Sequence, residues 1–434
     1  MSRELILSLL ALPIGVVGAE RPNIVMILAD DMGFECLGAN GSTYSTPNLD
    51  KLAEDGIRFT NCHAQPLSTP TRVELLSGLY NNRNYMSFGE LDPSQRTFAN
   101  VVKEQGYKTC IAGKWQLGAD YDLPAHFGFD NYCLWQLTAT KKMGGRYASV
   151  LYDVDGESIT RDLDTYGPDV FSDYICDFID KNSRAPFLVY YPMVLIHDPF
   201  NPTPDSEEWQ DPKMRLKSCE MEMTANLVAY ADKLVGKIVD RLKENGVLDN
   251  TIILFVGDNG TNTRVFTTMK DGSVIQGGKN TTKRNGTSVP MLAMWGSRIE
   301  AGQVNDNLVD VSDFYPTIRD LVDGDKGADR KLDGVSFYNQ LIGKKYRARE
   351  WSFCHFPSQQ EPNKYIRFAQ TADYKLYSSG RFYNTRTDPQ EANNLVSGLA
   401  TTKEERIRKM LQKALDSMPF GSEIITDECI DITE

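Results

Sequence analysis

The chain of 434 residues is predicted to fold as an α/β protein: a large, mostly parallel sheet sandwiched by helices, then a smaller C-terminal antiparallel sheet plus a helix. Three observations predict this fold class. Short continuous apolar runs recur up to residue 295, which is typical of strands buried on both faces of a parallel sheet. Segments with helical periodicity separate these runs, and short aromatic strands follow from about residue 346.

Apolar runs and helical segments alternate along the first part of the chain. Strands are predicted at 22–30, 108–113, 187–191, 251–257 and 290–295. Helices are predicted near 47–56, 95–105, 168–181 and 221–246. The last of these helices has an apolar stripe at helical spacing, formed by Leu227, Leu234, Ile238 and Leu242. This alternation favours a doubly wound sheet, so residues 20–345 are assigned to one large α/β domain.

The segment 346–434 is predicted to form a smaller α+β subdomain. Its short aromatic strands begin near Trp351, Tyr365, Lys375 and Arg381. A helix rich in Lys, Glu and Arg is expected to follow at about 401–416.

The first 19 residues are interpreted as a secretory signal peptide cut near Ala19. The apolar run is interrupted by Pro13 and Gly15 and ends in small residues; a buried first helix is the alternative. No later stretch reaches the roughly 20 apolar residues that a membrane span needs, so the mature chain is expected to lack one and to be periplasmic or extracellular. The eight cysteines show no CxxC pair, and their disulfide connectivity stays open.

The net charge of −12 makes nucleic acid an unexpected partner, because long-range attraction of a polyanion follows the summed charge. An anionic ligand would need a local group of cations. One loop offers Lys141, Lys142 and Arg146, and a second offers Arg264, Lys270, Lys279, Lys283 and Arg284. Such groups are also common on solvated loops that bind nothing.

The central stretch is Ser68-x-Pro70-x-Arg72, followed by an apolar pattern that predicts a short helix. Ser68 therefore lies at a helix N-terminus, where free N–H groups and the dipole favour an anion. Acidic and amide side chains follow two of the predicted strands, as Asp30-Asp31 and as Asp258-Asn259. Their oxygens are ligands that suit Ca²⁺ better than zinc, although a helix cap or an ordinary turn would explain each pair alone.

Five motifs in order resemble the sulfatase family: Asp30-Asp31, Ser68-x-Pro70-x-Arg72, Gly113-Lys114-Trp115-Gln116-Leu117-Gly118, His197-x-Pro199 and Gly277-Gly278-Lys279. The resemblance implies an alkaline-phosphatase-like fold and oxidation of Ser68 to Cα-formylglycine by a maturation enzyme. In that family the hydrated aldehyde attacks sulfur. Asp30, Asp31, Asp258 and Asn259 would then bind Ca²⁺ together with residue 68.

The resemblance also implies roles for the basic residues. Arg72 would hold residue 68, Lys114 and Lys279 would neutralise sulfate oxygens, and His197 would protonate the leaving alcohol. A sulfated carbohydrate is the expected substrate, and a bacterial source is expected from the serine-type site. Five residues are candidates for substrate contact: Gln116, Lys141, Lys142, Arg146 and His355.

Two departures from the family pattern are visible. Gln116 stands where a histidine is usual, and Arg284-Asn-Gly-Thr-Ser replaces the usual Glu-Gly-Gly-x-Arg. A neutral amide can form hydrogen bonds but cannot take a proton from the nucleophile. Two alternatives therefore stay open: a phosphoesterase of the same superfamily in which Ser68 acts directly, and a non-catalytic sulfoglycan-binding protein in which Ser68 is not converted.

Overall fold

The computed structural model describes residues 21–138, 145–219, 223–323, 331–357, 364–395, 401–418 and 424–425. The strands are β1 (Asn23–Ala29), β2 (Ile57–His63), β3 (Lys108–Lys114), β4 (Asn131–Trp135), β5 (Leu151–Val154), β6 (Glu157–Thr160), β7 (Phe187–Pro192), β8 (Thr251–Gly257), β9 (Phe266–Thr268), β10 (Val274–Gln276), β11 (Ser288–Met294), β12 (Gln303–Asp310), β13 (Ser352–Pro357), β14 (Lys364–Gln370), β15 (Tyr374–Tyr377), β16 (Phe382–Asn384) and β17 (Ile424–Ile425).

The helices are α1 (Pro47–Glu54), α2 (Ser68–Ser77), α3 (Asn81–Asn84), α4 (Phe98–Glu104), α5 (Leu123–His126), α6 (Gly167–Asn182), α7 (Thr224–Glu244), α8 (Arg284–Thr287), α9 (Phe314–Leu321), α10 (Tyr338–Leu341) and α11 (Thr402–Asp416).

The main sheet has ten strands in the order β12-β2-β11-β8-β1-β7-β3-β4-β5-β6. Its central strands β8, β1, β7, β3 and β4 run parallel to one another. Strand β11 is antiparallel to β8 and β2, and β5 and β6 add an antiparallel edge. Because neighbouring parallel strands end at the same edge of a sheet, the residues after β1, β3, β7 and β8 share one edge.

Helices cover both faces of the sheet, as the apolar runs predict. Along β1, Val25 and Ile27 belong to the apolar core under α6 and α7, whereas Met26 and Leu28 belong to the core under α2, α4 and α9. Alternate side chains of a strand point to opposite faces, so a strand that is covered on both faces must be apolar at every position. This is why β1 reads as an uninterrupted apolar run.

The smaller sheet has the order β13-β14-β15-β16, with β17 paired to β14, and α11 packs against it. It contacts the large domain through the loop before β11. Tyr377 Oη lies 3.0 Å from Thr282 Oγ1, Lys375 Nζ donates to the Thr282 carbonyl, and Arg284 donates to the Ala372 carbonyl at 3.0 Å. The predicted fold class is confirmed, a large mostly parallel sheet with a small antiparallel one.

Some predictions fall on parts of the chain that the structure does not describe. The proposed signal peptide 1–19, the basic residues Lys141 and Lys142, and Cys429 all lie outside the described residues. The other seven cysteines are free thiols. Within the described ranges, every helix is too short or too polar to cross a bilayer.

Candidate active site

Three separate elements meet at the carboxyl edge of the large sheet. Asp30 and Asp31 follow β1, and Asp258 and Asn259 follow β8, which is the parallel neighbour of β1. Helix α2 begins at Ser68 and is buried along its whole length. The sheet topology therefore brings together side chains that are about 190 residues apart in the sequence, such as Ser68 and Asn259.

The oxygen atoms of these residues are in mutual contact. The Ser68 hydroxyl lies 3.1 Å from Asp30 Oδ1 and 3.2 Å from Asn259 Oδ1. The Asn259 side-chain amide donates to Asp31 Oδ1 at 2.8 Å, and the Asp31 backbone amide donates to Asp258 Oδ1 at 2.9 Å. All five side chains are buried. Buried carboxylates this close together repel each other unless positive charge lies between or around them.

Three cations surround Asp30 and Asp258. Lys114 Nζ is 2.9 Å from both Asp30 oxygens, and Arg146 Nη1 is 3.1 Å from Asp30 Oδ2. Arg72 Nη2 lies 2.9 Å from Asp258 Oδ2 and 3.5 Å from Asp30 Oδ1. We call Asp30, Asp258, Arg72 and Lys114 the inner half of the site, because each of them is buried.

The pKa directions in the inner half follow from burial and from these pairs. Burial opposes the ionisation of Asp30, but Lys114, His197, Arg72 and Arg146 together hold its pKa well below the ordinary value. Burial lowers the pKa of Lys114 to about 8. Burial and the charge of Asp30 raise the pKa of Asp258 to about 6. The surrounding cations therefore stabilise the ionised form of Asp30 more than that of Asp258.

A second group of residues lies on the solvent side of Asp31. Lys279 Nζ donates to Asp31 Oδ2 at 2.7 Å and lies 2.9 Å from His197 Nε2. The Nδ1 atom of His197 contacts both the carbonyl and the carboxylate of Asp198. We call Asp31, His197, Asp198 and Lys279 the outer half. The side chains of His197 and Lys279 are 21% and 18% exposed, so this half is open to solvent.

Local backbone geometry fits the sequence at two of these positions. Asp31 has a φ of 61°, a left-handed conformation that Asp tolerates better than most residues. Gly113 has a φ of 124°, and a Cβ atom there would lie 2.1 Å from the Pro192 carbonyl oxygen. Only glycine lets β3 approach β7 this closely just before Lys114. The register of β3 thereby places Lys114 beside Asp30.

The donor set fits a hard divalent cation. Asp30, Asp31 and Asp258 supply carboxylates, Asn259 an amide oxygen and Ser68 a hydroxyl, all of which suit Ca²⁺. Asp30, Asp31 and His197 each place one ligand atom within 4.8 Å of the others. A cation at this point would also stabilise the ionised carboxylate of Asp258, whose pKa is raised by burial and by Asp30.

A model of the Sulfatase family matches residues 22–324. The chain belongs to the sulfatase family. A second family model, described as N-sulphoglucosamine sulphohydrolase, C-terminal, matches residues 279–419 of this sulfatase. The resemblance predicted from the sequence motifs is therefore confirmed, and the protein is a sulfuric ester hydrolase. The matches do not favour the phosphoesterase alternative or that of a non-catalytic binding protein.

Individual relatives agree with the family match. The sulfatase is 32% identical to arylsulfatase G of Rattus norvegicus over 382 residues, covering 76% of this chain and 70% of the relative. It is 28% identical to arylsulfatase A of Homo sapiens over 466 residues, covering 94% and 90%.

Two solved structures share the fold. The structure of Ps i-CgsB in complex with k-i-k-neocarrahexaose has a TM-score of 0.76 and 23% identity, with 92% of each chain covered. The structure of BT4656 in complex with its substrate D-glucosamine-2-N,6-O-disulfate has a TM-score of 0.72 and 20% identity, covering 92% of this chain and 98% of the other.

The sulfatase brings most of the predicted site residues together. The inner and outer halves described above contain Arg72, Lys114, His197, Lys279, Asp30, Asp31 and Asp258, and Ser68 and Asn259 contact the carboxylates of these halves. Arg146, predicted as a substrate contact, also donates to Asp30 and lies 4.5 Å from the ring centre of Trp135. Its place in the site depends on how the chain between β4 and β5 folds back, which the sequence alone does not reveal.

Two predicted substrate contacts lie apart from the cluster. The Gln116 side chain donates to the side chain of Gln136, at the ends of the adjacent strands β3 and β4. His355 is 2% exposed in the small sheet and stacks on Tyr365, with 4.3 Å between ring centres. Burial lowers the pKa of His355 to about 3, so it is a neutral core residue. A direct contact between His355 and a substrate does not fit this placement.

One residue of the outer half was missed in the sequence. Asp198 was seen only as the neighbour of His197, yet its carboxylate lies 2.8 Å from His197 Nδ1. A carboxylate next to a candidate general acid in a His-Asp-Pro segment is the signal that could have identified it.

Proposed function

We propose that this sulfatase removes sulfate from a carbohydrate, with Ser68 oxidised to Cα-formylglycine as the reactive residue and Ca²⁺ as the resident cation. The observation that supports this proposal is the contact of Ser68 with oxygen atoms from distant parts of the chain. The Ser68 hydroxyl faces Asp30 Oδ1 at 3.1 Å and Asn259 Oδ1 at 3.2 Å. A buried hydroxyl between a carboxylate and an amide oxygen is well placed to share a cation with them.

Asp30, Asp31, Asp258 and Asn259 would hold the cation beside residue 68. Oxidation of Ser68 would supply a hydrated aldehyde whose hydroxyl is the nucleophile toward sulfur, and Ca²⁺ would supply positive charge opposite the sulfuryl oxygens. Arg72 keeps Asp258 and Asp30 in place through contacts of 2.9 and 3.5 Å. This contact fixes two of the proposed ligands before substrate binds.

Lys114, Lys279 and Arg146 are the proposed ligands of the sulfuryl oxygens. Each lies within 3.1 Å of Asp30 or Asp31, so a sulfate at the cluster would be within reach of all three. Positive groups that are already in place stabilise the negative charge that grows on these oxygens in the transition state. Because these cations are already in place, stabilising the transition state does not require solvent water to reorient.

His197 is the proposed general acid for the leaving oxygen. Its Nε2 atom faces Lys279 and Asp31, and its side chain is partly exposed at the open side of the cluster. The alcohol of a sugar is a poor leaving group, so protonation of the bridging oxygen is expected to contribute about a hundredfold or more to the rate. The leaving sugar would therefore lie on the solvent side of the outer half.

Gln116 is proposed to form hydrogen bonds to substrate. Its amide has a donor and an acceptor, but it cannot accept a proton at neutral pH. Any step that removes a proton from residue 68 must use another acceptor. This is the point at which the sulfatase departs most from its family pattern.

The substrate is proposed to be a sulfated glycan. The similar structure of BT4656 was solved with a sulfated glucosamine as its substrate, and the fold of the present chain is shared over nearly its whole length. The chain carries a net charge of −12, so recognition of an anionic sugar must come from the local cations of the site.

Export is proposed on the basis of residues 1–19, whose composition is that of a signal peptide. A serine-type site then requires a maturation enzyme that acts on Ser68 before export is complete, which favours a bacterial source. The mature sulfatase would act in the periplasm or outside the cell.

Mass spectrometry of the peptide that contains Ser68 tests the first part of the proposal. The protein should be purified from its native host or with a serine-type maturation enzyme, and the peptide is expected to lack two hydrogen atoms. Ser68→Ala should lose all turnover. An unmodified serine in a fully active enzyme would show that the proposed nucleophile is wrong.

The substrate class is tested with sulfated mono- and oligosaccharides beside an aryl sulfate and an aryl phosphate. Release of inorganic sulfate from a sugar is the expected result. Hydrolysis of the aryl sulfate without any sugar sulfate would contradict the glycan assignment, and faster release of phosphate would support a phosphoesterase.

A further inference from the structure

The His197 ring is held from its Nδ1 side by a single residue. Nδ1 lies 2.6 Å from the Asp198 carbonyl oxygen and 2.8 Å from Asp198 Oδ1. Both of these oxygens are acceptors, so the ring nitrogen between them carries a hydrogen. The other nitrogen, Nε2, is then directed toward Lys279 Nζ, 2.9 Å away, and Asp31 Oδ2, 3.8 Å away. The orientation of the ring is therefore set by Asp198.

The second carboxylate oxygen of Asp198 is also engaged. Arg264 Nη2 lies 3.4 Å from Asp198 Oδ2. The Arg264 guanidinium is itself held by Asn262 Oδ1 at 3.4 Å from Nε, and it lies 5.7 Å from the ring centre of Phe200. Asp198 thus lies between an imidazole and a guanidinium, and both ends of its carboxylate are fixed.

The charge of Asp198 is maintained by its neighbours. The hydrogen bond from His197 outweighs burial and holds the pKa of Asp198 well below its ordinary value. A carboxylate on Nδ1 keeps one tautomer and one ring orientation and stabilises the protonated ring, as in other carboxylate–histidine pairs. Arg264 is 61% exposed, so it contributes less than Asp198 does.

We propose that Asp198 is a positioning residue that orients His197 toward the bridging oxygen of the sulfate ester, with Arg264 holding the far side of the Asp198 carboxylate. This inference rests on the proposed function of His197. The reacting ring is the imidazolium, which carries the Nδ1 hydrogen and a second proton taken up from solvent on Nε2; as the S–O bond to the sugar breaks, the Nε2 proton passes to the departing oxygen. The hydrogen on Nδ1 stays on the ring, bonded to Asp198, and the ring becomes neutral.

The proposal predicts a dependence on the leaving group. An aryl oxygen such as that of 4-nitrophenol leaves without protonation, whereas a sugar alcohol does not. Loss of the Asp198 carboxylate should therefore slow the hydrolysis of a sugar sulfate and leave that of an activated aryl sulfate nearly unchanged. A residue that only stabilises the fold would slow both substrates equally.

The experiment compares Asp198→Asn and Asp198→Ala with the wild-type enzyme in the mature, metal-loaded state. The probes are 4-nitrophenyl sulfate, phenyl sulfate and a sulfated monosaccharide that the wild type hydrolyses. For the sugar sulfate, kcat is expected to fall about tenfold in Asp198→Asn and about a hundredfold in Asp198→Ala, with KM changed less than about threefold. For 4-nitrophenyl sulfate, both variants should stay within about threefold of wild type.

Two further variants make the test specific. Arg264→Gln is expected to lower kcat for the sugar sulfate as Asp198→Asn does, but by only about threefold. Asp180→Asn is the matched control, because Asp180 pairs with Arg241 at 2.7 Å on the exposed surface of α6 and α7. This variant should hydrolyse all three substrates at the wild-type rate.

The outcomes separate the two hypotheses. An equal loss on every substrate, or no loss on the sugar sulfate, would overturn the positioning role of Asp198 while sulfatase activity remains. A wild-type enzyme that hydrolyses no sulfate ester would overturn the proposed function, and this inference with it.

Discussion

Asp30 and Asp31 are neighbours in the chain, yet they lie in opposite halves of the site. Asp30 is 0% exposed and has three cations around it, two of which, Lys114 and Arg72, are themselves buried. Asp31 contacts Lys279 and His197, whose side chains reach solvent. The charges of the inner half are therefore held in fixed pairs away from water, whereas the cationic side chains of the outer half are accessible to a ligand from solvent.

The largest effect is expected from removing a cation of the inner half. Arg72→Met would leave Asp258 and Asp30 buried without their shared guanidinium. Breaking a buried pair in this way costs about 3 kcal/mol or more, and turnover should be lost. Urea denaturation and sulfate release measure the two effects.

Arg241→Met is the control for this prediction. Arg241 pairs with Asp180 in solvent, and its loss should change stability by less than about 1 kcal/mol. If Arg72→Met and Arg241→Met were equally stable, the inner half would not depend on its buried charges.

Removal of the proposed divalent cation should give the next largest effect. Chelation should abolish turnover and lower stability by about 3 kcal/mol relative to the protein at a hundredfold excess of Ca²⁺ over its Kd. Ca²⁺ should restore both, and Zn²⁺ should not, because the ligands are oxygens. Full activity after exhaustive chelation, with no metal found by elemental analysis, would contradict a resident cation.

Glu35 provides a contrast within the same region, because it is a buried carboxyl without a cation. Burial raises its pKa to about 7, whereas the pKa of Asp30 is held low by its cations. The folded state therefore binds more protons than the unfolded state between about pH 4.5 and 7, so stability falls as pH rises through this window.

Glu35→Gln removes this titration while keeping the shape of the side chain. The free energy of unfolding of the variant minus that of wild type should increase by about 2 kcal/mol between pH 5 and pH 8. Urea denaturation at both pH values measures this change. A difference between the two proteins that does not change with pH would mean that Glu35 ionises normally.

The smallest effect is expected at Gln116, two residues after Lys114. Gln116 has a φ of 52°, a left-handed conformation in which His is also found, so Gln116→His should fold normally. An imidazole can take a proton that the amide cannot, and kcat above pH 7 should rise about threefold to tenfold. Gln116→Asn keeps the amide and serves as the control. A fall in kcat in Gln116→His would show that the amide itself is needed by the substrate.

Much of the fold was predictable where burial made the sequence uniform. Strands β1, β7 and β8 are apolar at almost every position and β3 has an apolar centre, and most candidate site residues lie at or after the ends of these strands. Strand β12 was not predicted, because it lies at the sheet edge and only three of its eight residues, Val304, Leu308 and Val309, are apolar. Strand β2 was missed as well, since its partly exposed Arg58 and Thr60 interrupt the apolar pattern.

The site was predictable to the extent that its residues lie in short motifs. Ser68, Lys114 and Asp258 each follow a recognisable pattern, and the parallel sheet brings them to one edge. Arg146 belongs to no such motif, and Asp198 is the unspecified position of His197-x-Pro199. Their contacts depend on how the connections between elements fold over that edge. Local sequence patterns do not predict this, and the tertiary structure is needed to see it.

The small C-terminal sheet has a consequence for the segment that carries Lys279. Thr282, three residues later, is anchored by Lys375 and Tyr377 of that sheet. On its other side, Asn280 donates to the carbonyl of Pro66, two residues before Ser68. Truncating the protein after the large domain would remove both contacts to Thr282 and leave the segment held by backbone bonds such as Lys279 N–H to the Thr261 carbonyl, so we expect the C-terminal sheet to help fix the position of Lys279.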